Sequence, residues 1–230
     1  MRWIATIAVS LLAGFAGAAL FMLTPLADRQ SEAWLMRDPE VLTRAMDELQ
    51  RRATADRIAP VRAELEAPFP GAVLGNPQGS VVLVEFTDYA CTYCRQSVAD
   101  VDALIAANPD LKVVIRELPI LSQNSADAAR MALAAAQQGR FAAFHNAMFA
   151  AGQVTAETIT AAATQAGVDL ARARAAIDAG LFESQLQNNV FLAQTLGING
   201  TPAWIVGDRA LNGAVGREAI ARALDEARAS

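Results

Sequence analysis

The sequence predicts an α/β fold in which a helical block interrupts one sheet, and three patterns carry that prediction. "VVLVEF" (81–86) and "LKVVIREL" (111–118) are strand-length apolar runs flanking a helical pattern. Residues 122–196 are alanine-rich with helical spacing almost throughout. "TPAWIVG" and "RALNG" then read as two short strands joined through Asp208, and "GREAIARALDEARA" reads as a closing helix.

Taken in order, the chain of 230 residues opens with Arg2 and the uncharged run "WIATIAVSLLAGFAGAALFML", Trp3 to Leu23. As a helix this run is about 30 Å long, the thickness of a bilayer core. An uncleaved anchor over residues 3–23 is the expectation. A cleaved signal is the alternative, although more apolar residues follow Ala16 and Ala18, and Pro25 stands where a small residue is wanted. A buried core helix is the third reading. Either of the first two makes residues 1–26 a targeting segment and sends Ala27 onward out of the cytoplasm.

Residues 38–65 place Val41, Leu42, Ala45, Met46 and Leu49 at helical spacing, with Asp38 as N-cap, Pro39 at the first helical position and an interruption before Pro60. The Pro- and Gly-rich "EAPFPGAVLGNPQGS" reads as a boundary, with a short strand at Ala72 to Leu74. The expected domains are thus 27–67, a helical segment and linker, and 68–230, a catalytic domain with its insertion at about 122–196. Strand, helix and strand between Val81 and Leu118 form a βαβ unit, whose right-handed crossover makes the strands parallel. Within the helical block, breaks are expected near Gly139, at "AAGQVT", at Gly167 and near Gly180.

Composition narrows the function. A 53% hydrophobic, 19% charged chain builds a packed core, and a net charge of −5 without a basic cluster argues against nucleic acid as a partner. The chain holds two cysteines, Cys91 and Cys94, in "ACTYC". As a staple they close almost no loop and contribute little stability. A structural zinc site needs four ligands, and His145 is the one histidine. Redox chemistry fits best, with a Cu(I) pair and a minor structural bridge as the alternatives. Cys91 stands where the strand and the "TDYA" turn deliver the chain to a helix N-terminus, whose unpaired N–H groups favour a negatively charged sulfur. It is the expected nucleophile. Cys94, one turn inward, is the expected resolving thiol.

The pair of motifs "VEFTDYACTYC" and "GINGTPAWIVG" resembles the DsbA-like branch of the thioredoxin superfamily, over roughly Ala72 to the C-terminus. "LMRDPEVLTRAMDELQ" is similar to the segment that serves oligomerisation in ScsC-like members. The resemblance implies a thioredoxin-like fold and a thiol-disulfide oxidoreductase that forms, reduces or isomerises disulfides in exported proteins. It also implies a periplasmic location, a membrane redox partner, a homo-oligomer through residues 38–65, and no cofactor or metal. The alternative is a copper-binding or copper-delivery module using the same thiols.

By the same resemblance Glu85 is a buried acid near the resolving thiol, against the plainer reading of a solvent-facing acid at a strand edge. Thr92 and Tyr93 tune the redox potential, and Tyr93 replaces the histidine of the strongest oxidants, which implies a milder couple. Pro202 carries a cis peptide, against an ordinary trans proline, and Thr201 offers its backbone to an extended substrate. His145, amid Phe141, Phe144 and Met148, reads as a packing histidine, and Asp88 and Arg95 read as solvated charges.

Overall fold

The computed structural model describes residues 3, 7, 10, 11, 13–17, 20, 34 and 36–229. The chain divides into two units, Met1–Gln50 and Arg51–Ser230. The expected anchor over residues 3–23 lies largely outside the described residues, and among those described no helix is long and apolar enough to cross a membrane. Helix α1 (Glu40–Ile58) runs from the first unit into the second. In the first unit Leu42, Met46 and Leu49 of its apolar stripe are exposed, and the Asp38 carboxylate meets Arg44 at 2.9 Å.

The helix yields at Pro60 to a 3-10 turn (Ala59–Val61) followed by the short α2 (Arg62–Glu66). Then come β1 (Val73–Gly75), β2 (Val81–Thr87), α3 (Thr92–Ala107) and β3 (Leu111–Glu117), as the apolar runs predict. Five helices form the insertion: α4 (Gln123–Gln137), α5 (Phe141–Ala150), α6 (Ala156–Gln165), α7 (Leu170–Asp178) and α8 (Glu183–Leu196). Side-chain oxygens of Ser122, Thr155 and Asp169 cap three of them by accepting otherwise orphaned backbone N–H groups. Gly197 ends α8 at φ 72°, a left-handed conformation that favours glycine. Strands β4 (Ala203–Val206) and β5 (Arg209–Asn212) and helix α9 (Arg217–Ala229) complete the chain.

The sheet order is β1-β3-β2-β4-β5. β2 and β3 are parallel, and the remaining neighbours are antiparallel. Side chains alternate between the two faces of each strand. Leu83, Val113, Ile115, Trp204 and Val206 pack on one face with Val101 and Leu104 of α3, Leu224 of α9 and the insertion's Phe141, Phe144 and Met148. Val84, Phe86, Val114 and Ile205 pack on the other with Ile58, Leu65, Leu192 and Leu196.

Residues 51–67, which the sequence pattern assigned to a preceding segment, therefore belong to the compact unit. Ile58 and Leu65 lose all solvent contact there. Arg116 of β3 holds them in place. It is buried on the same face and donates to the carbonyls of Glu64, Leu65 and Ala67 and to Asn189 Oδ1. Burial lowers its basicity to about 10, a value opposed by the nearby Glu64 charge, so the guanidinium stays protonated at neutral pH. Arg116→Ala strands these carbonyls, at ~3 kcal/mol or more, and is expected to lower the urea midpoint with an unchanged slope. A midpoint equal to wild type would show that the clasp contributes nothing.

Candidate active site

Cys91 is the N-cap of α3, with extended backbone at φ −78°, ψ 117°. The end of β2 and the turn after it set that position, since Cys91 N–H donates to Asp88 O at 3.0 Å. Its sulfur accepts the Cys94 N–H at 3.3 Å, one of the helix's orphan donors. It also lies 3.2 Å from Thr201 O, to which the thiol donates. The Thr201–Pro202 peptide is cis, as expected. Both cysteines are thiols. Cys91 is 6% exposed and Cys94 0%, so of the two only Cys91 keeps any solvent contact. Burial first, and then its hydrogen bond with Cys91, push the Cys94 thiol far above the usual thiol range, with the Thr201 and Thr87 hydroxyls opposing. Thr92 and Tyr93 are exposed beside the pair, and Thr201 is half-buried.

Glu85 does not face solvent. It is buried on the same face of β2 as Leu83, the face that α3 covers. Desolvation raises its carboxyl to about 8, and the Thr87 hydroxyl opposes this in part without reaching hydrogen-bond geometry.

Two flanking charges differ from the sequence expectation. Asp88 is buried, not solvated: Oδ1 accepts Ala90 N–H at 2.8 Å, and Oδ2 accepts Ile120 and Leu121 N–H at 2.9 and 3.0 Å. It ties the turn after β2 to the turn after β3. Arg95 is half-buried and donates to Gly152 O, because α3 packs beside the insertion. His145 is a packing residue as expected, against Phe141 and Phe149, but it also meets Tyr89.

The sequence reading missed Tyr89 and Glu117. Both are buried; the Tyr89 hydroxyl lies within donating distance of Glu117 Oε1, at 3.0 Å, and 3.2 Å from His145 Nδ1. The signal available for Glu117 was an acid ending an apolar strand. Among the described residues, no group of three or more His, Cys, Asp or Glu side chains is arranged to hold a metal ion.

Residues 70–226 match the thioredoxin family. The chain belongs to the thioredoxin family. Within it the protein is DsbA-like. A thioredoxin-like oxidoreductase from Silicibacter pomeroyi DSS-3 is 40% identical, with a TM-score of 0.66 over 69% of this chain and 92% of that one. The thiol-disulfide exchange protein α-DsbA2 from Wolbachia pipientis is 27% identical, with a TM-score of 0.70 over 77% and 97%. The catalytic domain of Proteus mirabilis ScsC is 26% identical, with a TM-score of 0.65 over 76% and 99%. Curated relatives are longer. The Na(+)/H(+) antiporter NhaA of Herminiimonas arsenicoxydans is 28% identical over 158 residues, 68% of this thioredoxin-family chain and 25% of the antiporter.

Glu85 links the site to stability. Its carboxyl is raised from the ordinary 4.5 to about 8 in the folded chain, so its contribution is fully present below about 4.5 and is lost as pH rises through about 8. Glu85→Gln keeps the shape without the charge. The variant is expected to match wild-type Tm at acidic pH and to exceed it increasingly as pH rises through that window, by the equivalent of a few kcal/mol. A Tm difference independent of pH would mean that Glu85 is not a buried titrating acid.

Proposed function

We propose that this thioredoxin-family protein is a thiol-disulfide oxidoreductase for exported proteins, working through Cys91 and Cys94. The observation that carries this is the sulfur of Cys91, held between the Cys94 N–H and the Thr201 carbonyl while Cys94 is sealed behind it. The relatives of known structure named above support the same chemistry.

In the reducing direction the Cys91 thiolate attacks a client disulfide, forming a mixed disulfide and releasing the client's first sulfur. Cys94 then loses its proton and attacks Cys91 Sγ, so the internal disulfide forms and the client's second sulfur leaves as a thiolate. Two electrons pass from the Cys91–Cys94 dithiol to the client. Oxidation is the reverse. Glu85 is the proposed acceptor of the Cys94 proton, which later passes to the departing thiolate. The exposed Thr92 and Tyr93 tune the couple, and the Thr201 backbone pairs with an extended client beside Pro202.

Export rests on the apolar run at residues 3–23, by anchor or by cleaved signal, and places the protein in the periplasm with a membrane redox partner. The copper-binding alternative gains no support, because among the described residues no group of three or more His, Cys, Asp or Glu side chains brings a further ligand to the two sulfurs. The exposed stripe of Leu42, Met46 and Leu49 supports self-association, since an amphipathic helix needs cover for its apolar face. Several Cys91 sulfurs around one client favour isomerisation, whereas a lone domain favours simple oxidation or reduction.

Cys91→Ser is expected to abolish insulin reduction. Cys94→Ser is expected to accumulate mixed disulfides with clients on non-reducing gels, because attack proceeds and resolution does not. The opposite pattern would reverse the two roles. Leu42→Asp combined with Met46→Asp is expected to turn an oligomer into a monomer in light scattering, with insulin reduction retained and disulfide isomerisation lost. A wild-type monomer would remove the case for isomerisation.

A further inference from the structure

On the cysteine side of the sheet three acids lie buried: Glu85 on β2, Asp88 in the following turn and Glu117 at the end of β3. Tyr89 and His145, from the same turn and from α5, are buried with them. Cys94 of α3 covers this face. Positive charge is elsewhere. Arg116, next to Glu117, points to the opposite face and donates to carbonyls there. Arg95 of α3 donates to Gly152 O.

The acids are not equally provided for. Asp88 accepts three backbone N–H groups. Glu117 has the Tyr89 hydroxyl at Oε1, and its buried Oε2 has no hydrogen-bond partner. A buried carboxyl offered at most one donor, with two acids nearby and no cation beside it, retains its proton. Burial, opposed by the Tyr89 bond and reinforced by Asp88 and Glu85, accordingly raises Glu117 well above the usual carboxylate range.

Tyr89 has one hydroxyl proton and two acceptors within reach, Glu117 Oε1 at 3.0 Å and His145 Nδ1 at 3.2 Å. The choice between them fixes the charge of Glu117. A Tyr89 proton given to Glu117 stabilises a carboxylate there. Given to His145, it leaves the phenol oxygen to accept from a protonated Glu117, and each proton of the chain finds an acceptor. Burial among aromatic rings lowers His145 to about 4, so at neutral pH the ring is uncharged and one ring nitrogen can accept.

We propose that His145 takes the Tyr89 hydroxyl proton and so holds Glu117 as a neutral acid, leaving Glu85 to receive the proton of Cys94. The proposal rests on the acceptor role given to Glu85. His145 is a positioning residue, acting through Tyr89 and Glu117 on where negative charge can form. During resolution Cys94 passes its proton to ionised Glu85, while the protons of Glu117 and Tyr89 stay in place. Were Glu117 ionised first, Glu85 would ionise only at higher pH, and its ionised form, already the minority at neutral pH with the carboxyl raised to about 8, would become scarcer still as an acceptor of the Cys94 proton.

The test measures client thiol release from a preformed Cys91 mixed disulfide of the full chain, across about pH 5 to 10. Its acidic limb reports Glu85. His145→Leu removes the acceptor and is expected to move that limb up by about one unit, about tenfold slower release at pH 7. His145→Gln, which still offers an acceptor, is expected to stay near wild type. Glu117→Gln alone leaves the limb in place, and the double variant His145→Leu with Glu117→Gln restores it. Infrared spectra at pH 7 are expected to show a neutral carboxylic acid band with two contributors, Glu117 and Glu85, each removed by its own Gln variant. The proposal is wrong if that band does not depend on Glu117, if His145→Leu leaves the limb where it was, or if the shift survives in the double variant. Survival of the limb in Glu85→Gln instead sinks the acceptor role of Glu85, while the infrared band still reports Glu117 separately.

Discussion

The antiparallel pairing of β4 on β2 brings the end of one strand beside the start of the other, and the site depends on that register. Phe86 lies opposite Ala203 and Glu85 opposite Trp204, so the turn leading to Cys91 and the Thr201–Pro202 peptide emerge at the same end of the sheet. The Cys91 sulfur can then meet the Thr201 carbonyl. A slip of one residue would exchange the faces of Trp204 and Ile205, driving an indole into the wrong core layer. The apolar pattern of a four-residue strand thus holds a sulfur and a carbonyl within hydrogen-bonding distance.

The sheet also separates charge. Arg116 and Glu117 are neighbours in sequence, yet the pleat sends them to opposite faces and neither neutralises the other. The guanidinium can remain charged because several carbonyls surround it. Glu85 and Glu117 on the other face have no charged donor beside them, so each proton they keep avoids the larger penalty of a buried, unpaired charge. The proposed sulfur chemistry would consequently take place over a layer that stores protons.

Element order was legible because each pattern has one physical cause. The continuous apolar runs at 81–86 and 111–118 are buried on both faces, and the expected breaks in the helical block fall between its helices. The position of Cys91 at a helix N-terminus with Cys94 one turn inward was legible from spacing, and the cis peptide at Pro202 from the family resemblance. Burial of the charged residues Asp88 and Glu117 was not. Asp88 and Glu117 owe theirs to contacts with Ile120, Leu121, Tyr89 and Asn189, partners that no local pattern announces. The start of the compact unit was misplaced for the same reason: Ile58 and Leu65 bury against strands well beyond the proline-rich stretch that resembles a boundary.

The Thr201 carbonyl lies 110 residues after the sulfur it meets. All five helices of the insertion stand between them. A ribosome or a translocation channel therefore releases the two thiols long before β4 exists to hold them. Until that last part of the sheet arrives, Cys91 and Cys94 are ordinary cysteines on an unfinished chain. Chain completion thereby acts as a timer, and the working geometry appears only when nearly the whole polypeptide has emerged.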